Sequence, residues 1–492
     1  MRREAIFGSI LTILFLIVAT VTLVRNGQPI VVTRTVAKAT TPIVSSTPTN
    51  VPLPSDSAEP RPSSPTPSSS HADGGAKAPV QPKVELQRAV RVSALGWEAA
   101  APVLLANRGY KAMPQSLFSA RGVNVVVKIA DGLADVEKQI ARGGQEEAGC
   151  DFAVVPLAAV VGGYERTRAL ALEVIYATAW SRGREGFLLG KHDNLFEGSA
   201  DQAKMFVSGG DASTALALFV ADAEGLTLSK VRQTPQLKNA EFGVQSRPFT
   251  ALTSAEGPNH LVFTTVEAAR WAPWVVVAPR AFVEQHPRTT ALWIEGLVAG
   301  LGELARDIHV AAQTLAGIDG SVEPASLVER FGYMRYATLA DNARLFETGS
   351  PFGASLRALG LRFFDLFHGV GTLGVSLPEH DWLDGSFVLT MVQKNPPEPS
   401  DERFAIVSSA EVKHAFYMRF SEKVSDEALI AEAGLLAEVF PRGRFKIGVK
   451  KGISAKKITE RARDLYGIDP ARFATGEVAE RAAASIEVLV PR

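Results

Sequence analysis

The sequence predicts an α/β fold with a mostly parallel sheet, and three observations carry that expectation. Short apolar runs alternate with amphipathic or small-residue helical stretches from Val90 onward, the rhythm of βαβ units. A chain of 492 residues with 46% hydrophobic content can bury a core large enough for two or three domains. Sharp composition changes near residues 25, 88 and 404 then divide the chain into blocks.

The first block, residues 1–25, reads as a membrane anchor. Ile6 to Val24 is a run of 19 uncharged residues, long enough to cross a hydrocarbon core of about 30 Å. Arg2 and Arg3 favour leaving the short N-terminal side in the cytoplasm, which places the bulk of the chain in a periplasm-like space outside the inner membrane. The run ends at Leu23, Val24 and Arg25 without a small-x-small site, so an uncleaved anchor is favoured over a signal peptide. Residues 26–88 are rich in Pro, Ser and Thr and lack apolar periodicity. Such a tether spans about 45 Å as a coil and up to about 190 Å as polyproline II.

The third block, residues 89–391, supplies the sheet. Val90, Val92 and Ala94 alternate with polar residues and read as a strand ending at Gly96 and Trp97. EAAAPVLLANRGY suits a helix, and GVNVVVKIAD is a second strand ending at the Asp131-Gly132 turn. LADVEKQIARGG is amphipathic, CDFAVV runs as a strand into Pro156, and LEVIYATAW ends at Trp180 and Ser181. In open α/β sheets ligands gather at the carboxyl ends of strands, which makes Gly96, Trp97, Asp131, Pro156, Trp180 and Ser181 candidate ligand-binding residues. The two tryptophans have the planar rings that often wall a cleft.

The order of these pieces resembles the type II periplasmic substrate-binding proteins of ABC transporters, in particular the branch that binds sulfonates, nitrate or thiamine-precursor pyrimidines. The resemblance is carried by ALGWEAAAPVLLANRG, CDFAVVPLAAV, the Ser-x-Gly segment SRGREGFLLGKHD from Ser181, VSGGDASTALALF from Val207, the strand and long helix of VVVAPRAFVEQHPRTTALWIEGLVAGLGELARD, and HDWLDGSFVLTM. It implies a bilobal fold that closes on a small polar solute, with an ABC permease as partner. Ser181 and Gly183 fall where such proteins donate to a ligand from the crossover. Within SGGDAST, Ser213 lies on a first helical turn whose N–H groups favour an anion, whereas Asp211 as N-cap occupies those donors and favours an amine-bearing or neutral ligand. In EAARWAPWVVVAPRAF, the resemblance places Trp271 at a crossing between lobes, as a cleft wall, and Trp274 with Val275 to Val277 in a returning core strand.

Other chemistries find little support. The 52 basic and 52 acidic residues cancel, so no overall field favours nucleic acid. The single cysteine, Cys150, reads as a small buried hydrophobe. The eight histidines are scattered without a metal-ligand spacing, and there is no phosphate-binding GxxxxGK[ST] or GxSxG elbow. No strand end carries a His or Cys, so the expectation is a non-enzyme without metal or cofactor.

Residues 404–492 form the last block, after the linker NPPEPSDER. They read strand, helix, strand, helix, turn, strand and stand as a separate unit. ISAKKITERARDLYGI, ARFATGE and SIEVLV resemble the OmpA-like domain, which holds peptidoglycan in the periplasm. Lys457 replaces the Arg of that family's helix and the preceding loop is reduced to GVKKG, so the fold is carried over rather than the carboxylate clamp. Two functions follow as expectations: a membrane-anchored binding protein serving a transporter or a sensory partner, and a non-catalytic envelope scaffold that contacts peptidoglycan or protein.

Overall fold

The computed structural model describes residues 86–190, 203–207, 211–234, 240–247, 260–349, 351–375, 382–398, 404, 407–421, 424–450 and 453–492. The expected anchor Ile6–Val24, the tether and the Gly-Gly turn before Asp211 lie outside the described residues. Among the described residues no helix is long and apolar enough to cross a membrane.

The first lobe runs β1 (Val90–Leu95), α1 (Gly96–Asn107), β2 (Val125–Ala130), α2 (Leu133–Arg142), β3 (Phe152–Pro156), α3 (Leu157–Gly162), α4 (Tyr164–Thr167) and β4 (Leu172–Ser181). Each strand ends where the sequence places it, at Gly96, Asp131, Pro156 and Ser181. The chain then crosses to β5 (Glu185–Leu189), β6 (Lys204–Val207), α5 (Asp211–Ala223), β7 (Arg232–Thr234), β8 (Phe242–Ser246) and β9 (His260–Thr264) of the second lobe. It returns through residues 265–272 to β10 (Pro273–Pro279) in the first. After β10 come α6 (Arg280–Gln285), α7 (Pro287–Arg306), α8 (Ile308–Ile318), α9 (Pro324–Gly332), β11 (Met334–Tyr336), α10 (Leu339–Leu345), α11 (Leu356–Gly369) and α12 (Ser386–Lys394).

The first sheet has the order β11-β4-β10-β3-β1-β2 and the second β7-β6-β8-β5-β9. The first is mixed rather than mostly parallel. Only β1 with β2 and β1 with β3 pair in parallel, while β10 runs antiparallel to β3 and β4, and β11 antiparallel to β4. The reason is topological: β10 re-enters from the far lobe and meets its neighbours head to tail. Strand β10 is buried on both faces, with Trp274, Val276 and Ala278 in the core beneath α1 and α7 and Val275 and Val277 in the opposite core.

Helices α1 and α7 touch backbone to backbone at one point. A Cβ on Gly300 would press into the Pro102 carbonyl, whereas one on Gly302, two residues along the same helix, would meet nothing. Gly300→Ala is therefore expected to destabilise by about 1–3 kcal/mol through overpacking. Gly302→Ala is expected to stabilise by up to about 1 kcal/mol through helix propensity. Urea unfolding of both variants checks the opposite signs.

The C-terminal block contains β12 (Val412–Phe420), α13 (Asp426–Val439), β13 (Arg444–Val449), α14 (Ala455–Tyr466), β14 (Phe473–Thr475) and β15 (Ala484–Pro491). Its sheet, β12-β15-β13-β14, is its own, but its core is not. Phe416 and Phe440 belong to the same apolar cluster as Phe219, Phe263 and Trp271 of the second lobe, with ring centroids 5.8 Å apart for Phe219 and Phe416 and 5.5 Å apart for Phe263 and Phe440. The expectation of a separate unit gives way here, because the aromatic faces of two neighbouring blocks cover each other. Charge pairs fix the contact. Arg419 reaches Glu224 at 3.0 Å, Arg362 reaches Asp222 at 3.5 Å and Glu432 at 3.6 Å, and Arg270 pairs with Glu438.

Candidate functional site

The two lobes are joined at Ser181–Glu185 and Thr265–Pro273, and a buried polar network ties these crossings together. Thr265 is its centre: its Oγ1 accepts from the N–H of Gly183 at 2.8 Å and of Glu185 at 3.3 Å, and donates to Glu185 Oε2 at 3.2 Å. Ser181 Oγ donates to Glu185 Oε1 at 3.3 Å and accepts from the Trp274 indole N–H at 3.1 Å. Gly183 has a φ of +87°, a left-handed conformation that suits glycine.

Glu185 is fully enclosed, and that burial pushes its carboxyl above the ordinary range against the opposing Arg184 charge and the hydrogen bonds from Ser181 and Thr265. A carboxyl raised in the folded state contributes stability at low pH and loses it as pH rises through the folded value. Glu185→Gln keeps the shape without the charge. Relative to wild type, its melting temperature is expected to gain more at about pH 8 than at about pH 5, and a pH-independent difference would contradict this.

Arg184 projects from the first crossing onto the Trp274 ring, 5.1 Å from its centroid, an arrangement that holds a guanidinium flat. Its nearest acids are Glu98 Oε1 at 3.8 Å and Glu185 Oε1 at 3.9 Å, neither within hydrogen-bond reach. Glu98 sits in the first turn of α1, directly after the carboxyl end of β1, with Arg330 Nη1 3.9 Å from its other oxygen. Close to it, the Tyr336 hydroxyl is buried without a hydrogen-bond partner, and burial with the nearby Glu98 charge pushes that phenol well up. Across the crossing, Arg247 donates to the Gly183 carbonyl at 2.7 Å and stacks over Tyr333 at 4.5 Å.

The residues proposed from sequence divide in this setting. Gly96, Ser181 and Gly183 border the cluster: a Cβ on Gly96 would lie 3.1 Å from Glu98 Oε2. Pro156 pairs in register with Trp274, and Trp97 is half-buried against the first-lobe core. Ser213 is buried in α5, its Oγ 3.1 Å from Ser246 Oγ on β8, next in sequence to Arg247. Trp180 is buried with Arg335 stacked over it at 5.1 Å, and Asp131 is exposed at the end of β2 without a hydrogen bond or ion pair among the described residues. The Asp211 side chain lies outside what the structure describes.

Trp271 departs from the role expected of it, whereas Trp274 is core as expected. Trp271 is 0% exposed and packs on Phe219 at 4.4 Å and Phe363 at 5.0 Å, in the core shared with the C-terminal block, so it walls no cleft. Trp274, 2% exposed in the first-lobe core, also carries Arg184 stacked over its ring and donates its indole N–H to Ser181. Position 274 is the second residue of β10, on the face that meets α1, paired with Pro156 and Ala179. Glu98, Arg184, Glu185 and Thr265 escape sequence reasoning. The available signal is an isolated charge in an apolar context, as Glu98 is in WEAAAPVLL, whereas Arg184 and Glu185 stand beside Arg182 and carry no such signal.

Among the described residues no group of three or more His, Cys, Asp and Glu side chains is placed to hold a metal ion. Cys150 is buried, and that burial together with Asp151 pushes its thiol up to about 12.

No family model matches the sequence, and no curated protein matches it. Solved structures do show a likeness. The chain is similar to the alkanesulfonate-binding protein SsuA from Xanthomonas axonopodis pv. citri at 14% identity and a TM-score of 0.40, over 58% of this chain and 94% of that one. It is similar to the nitrate-binding protein NrtA from Synechocystis PCC 6803 at 13% identity and a TM-score of 0.41, over 62% and 85%. A third likeness, to the Candida albicans CA3427 gene product of the generic periplasmic binding protein fold, has 12% identity and a TM-score of 0.38, over 66% and 100%.

Proposed function

We propose that this protein captures a small polar solute in the cleft between its two lobes, without making or breaking a bond. One observation carries the reading. At the crossing between the lobes, the Arg184 guanidinium and the Glu98 carboxylate face each other with no hydrogen bond to any described residue. A guanidinium held flat on an aromatic ring, ion-paired but not hydrogen-bonded, fits a ligand subsite.

The N-terminal run Ile6 to Val24 and the tether after it support a place at the inner membrane with the lobes on its outer side. There the captured solute would pass to an ABC-type permease or to a sensory partner. The test is a thermal-shift screen of the full chain against sulfonates, nitrate, phosphate, amino acids and pyrimidines. One solute class is expected to raise the melting temperature, and a screen in which none does would overturn the reading.

A second reading, the envelope scaffold, is favoured by the apolar contact between the C-terminal block and the second lobe. Its OmpA-like element order keeps peptidoglycan as the partner to test. Pull-down of sacculi and membrane proteins without added solute separates it from the first.

A further inference from the structure

We infer that the C-terminal block acts as a brace on the two crossings, with the Phe404 ring as its wedge, and that this contact sets the angle between the lobes. The inference goes beyond the solute-binding reading and does not depend on it.

A change of angle between the lobes has to be absorbed in both connecting segments, Ser181–Glu185 and Thr265–Pro273. The two run close together, since a Cβ on Gly183 would lie 2.9 Å from Val266 Cγ2. Each carries an arginine that reaches the same ring of the C-terminal block. Arg182 of the first crossing lies over Phe404 at 5.6 Å from its centroid, and Arg270 of the second at 5.1 Å. Phe404 is half-buried and Arg270 is buried, so both cation–ring contacts are partly withdrawn from water, where they hold more firmly than at an open surface. One side chain thus ties together two segments distant in sequence.

The wedge is itself anchored. Three residues beyond it, the Val407 carbonyl accepts from Arg444 Nε on β13 at 2.5 Å, and Val407 packs with Val412 and Leu489 of the C-terminal sheet. Helix α13 holds the second crossing directly: the Arg270 N–H donates to the Val439 carbonyl at 3.3 Å, and the Arg270 guanidinium pairs with Glu438. Phe352 lies 5.5 Å from the same guanidinium, in a segment that meets α13 so closely that a Cβ on Gly353 would stand 2.6 Å from the Gly434 carbonyl oxygen. Backbone and ion pair therefore fix the second crossing to the block, and Phe404 extends that hold to the first. Simple space-filling at position 404 needs only apolar bulk, whereas a wedge between two cations needs a ring.

The experiment is pulsed electron paramagnetic resonance on the full chain, with spin labels on Lys138→Cys of α2 and Gln233→Cys of β7, two exposed positions in different lobes. Cys150 is buried, which keeps it from the label. The otherwise unaltered chain is expected to give one narrow distance distribution, and Phe404→Tyr, which keeps the ring, the same one. Phe404→Leu is expected to add a second distance population, the ratio between the two shifting by about 5- to 30-fold for two lost cation–ring contacts. Arg182→Met is expected to produce the same second population and to add little to Phe404→Leu, because both free the first crossing. A Phe404→Leu distribution identical to that of the unaltered chain would overturn the brace, and so would a Phe404→Tyr distribution matching Phe404→Leu. Thermal melts report folding, and if Phe404→Leu does not fold, Arg182→Met decides: an unchanged distance overturns the inference.

Discussion

Glu438→Leu is expected to lower the unfolding free energy by about 3–5 kcal/mol, because it strips the counter-charge from a buried cluster of arginines. Glu438, on α13 of the C-terminal block, pairs with Arg270 of the second crossing and lies 3.6 Å from Arg344 on α10. Arg472 is buried in the same place, and burial lowers it to about 10, with Glu438 opposing that shift and Arg270 adding to it. Its guanidinium remains anchored on the carbonyls of Ala437, Phe440 and Gly443, so without Glu438 it stands beside Arg270 with Asp469 still acting on it. The double variant Arg270→Met/Glu438→Leu is expected to recover much of the loss, since a buried pair replaced whole costs far less than a pair broken. Guanidinium chloride unfolding of the three proteins decides it, and a loss below about 1 kcal/mol for the single variant would contradict the packing described here.

Ending the chain after Asn395 is expected to have the largest effect of any change considered. That truncation removes β12 to β15 and uncovers Phe219 and Phe263, which pack on Phe416 and Phe440. Each large apolar side chain returned to water costs about 1.5–3 kcal/mol, so these two alone amount to a large part of the stability of an ordinary domain. Glu224 of the second lobe loses Arg419, and Arg362 loses Glu432, across the same contact. The truncated chain is expected to keep far-ultraviolet circular dichroism, lose much of its near-ultraviolet signal and bind a hydrophobic dye. A cooperative melt within a few degrees of the full chain would show that the second lobe needs no cover from the C-terminal block.

How much of this was readable in the sequence follows from what periodicity encodes. The rhythm from Val90 to Ser181 is legible because strands and helices there bury one face each and end at Gly, Pro or Asp-Gly turns. The direction of β10 is not, since a run such as WVVVAP states burial on both faces but not which neighbours it meets. The same limit explains the C-terminal block. Its elements follow the expected order, yet Phe416 and Phe440 carry no mark that their partners, Phe219 and Phe263, lie some two hundred residues away.

The site shows the limit more sharply. Gly96 and Ser181 emerge from strand ends, and Gly183 from the resemblance of SRGREGFLLGKHD to a Ser-x-Gly segment. Trp271 and Trp274 are two equal rings three residues apart and both are core, yet they enter different cores, Trp274 on β10 under α1 and Trp271 against Phe219 and Phe363. Glu98 is a single charge in apolar surroundings whereas Arg184 stands among Arg182 and Glu185, and only the fold, through α1 and the first crossing, brings the two to 3.8 Å.

The most direct measurement is a crystal structure of the full chain grown with the solute that most raises the melting temperature. The solute is predicted to lie between the lobes, against the Arg184 guanidinium over Trp274. A solute seated away from Arg184, or an interlobe cleft that stays empty at a concentration where the melting temperature no longer rises, would contradict capture between the lobes.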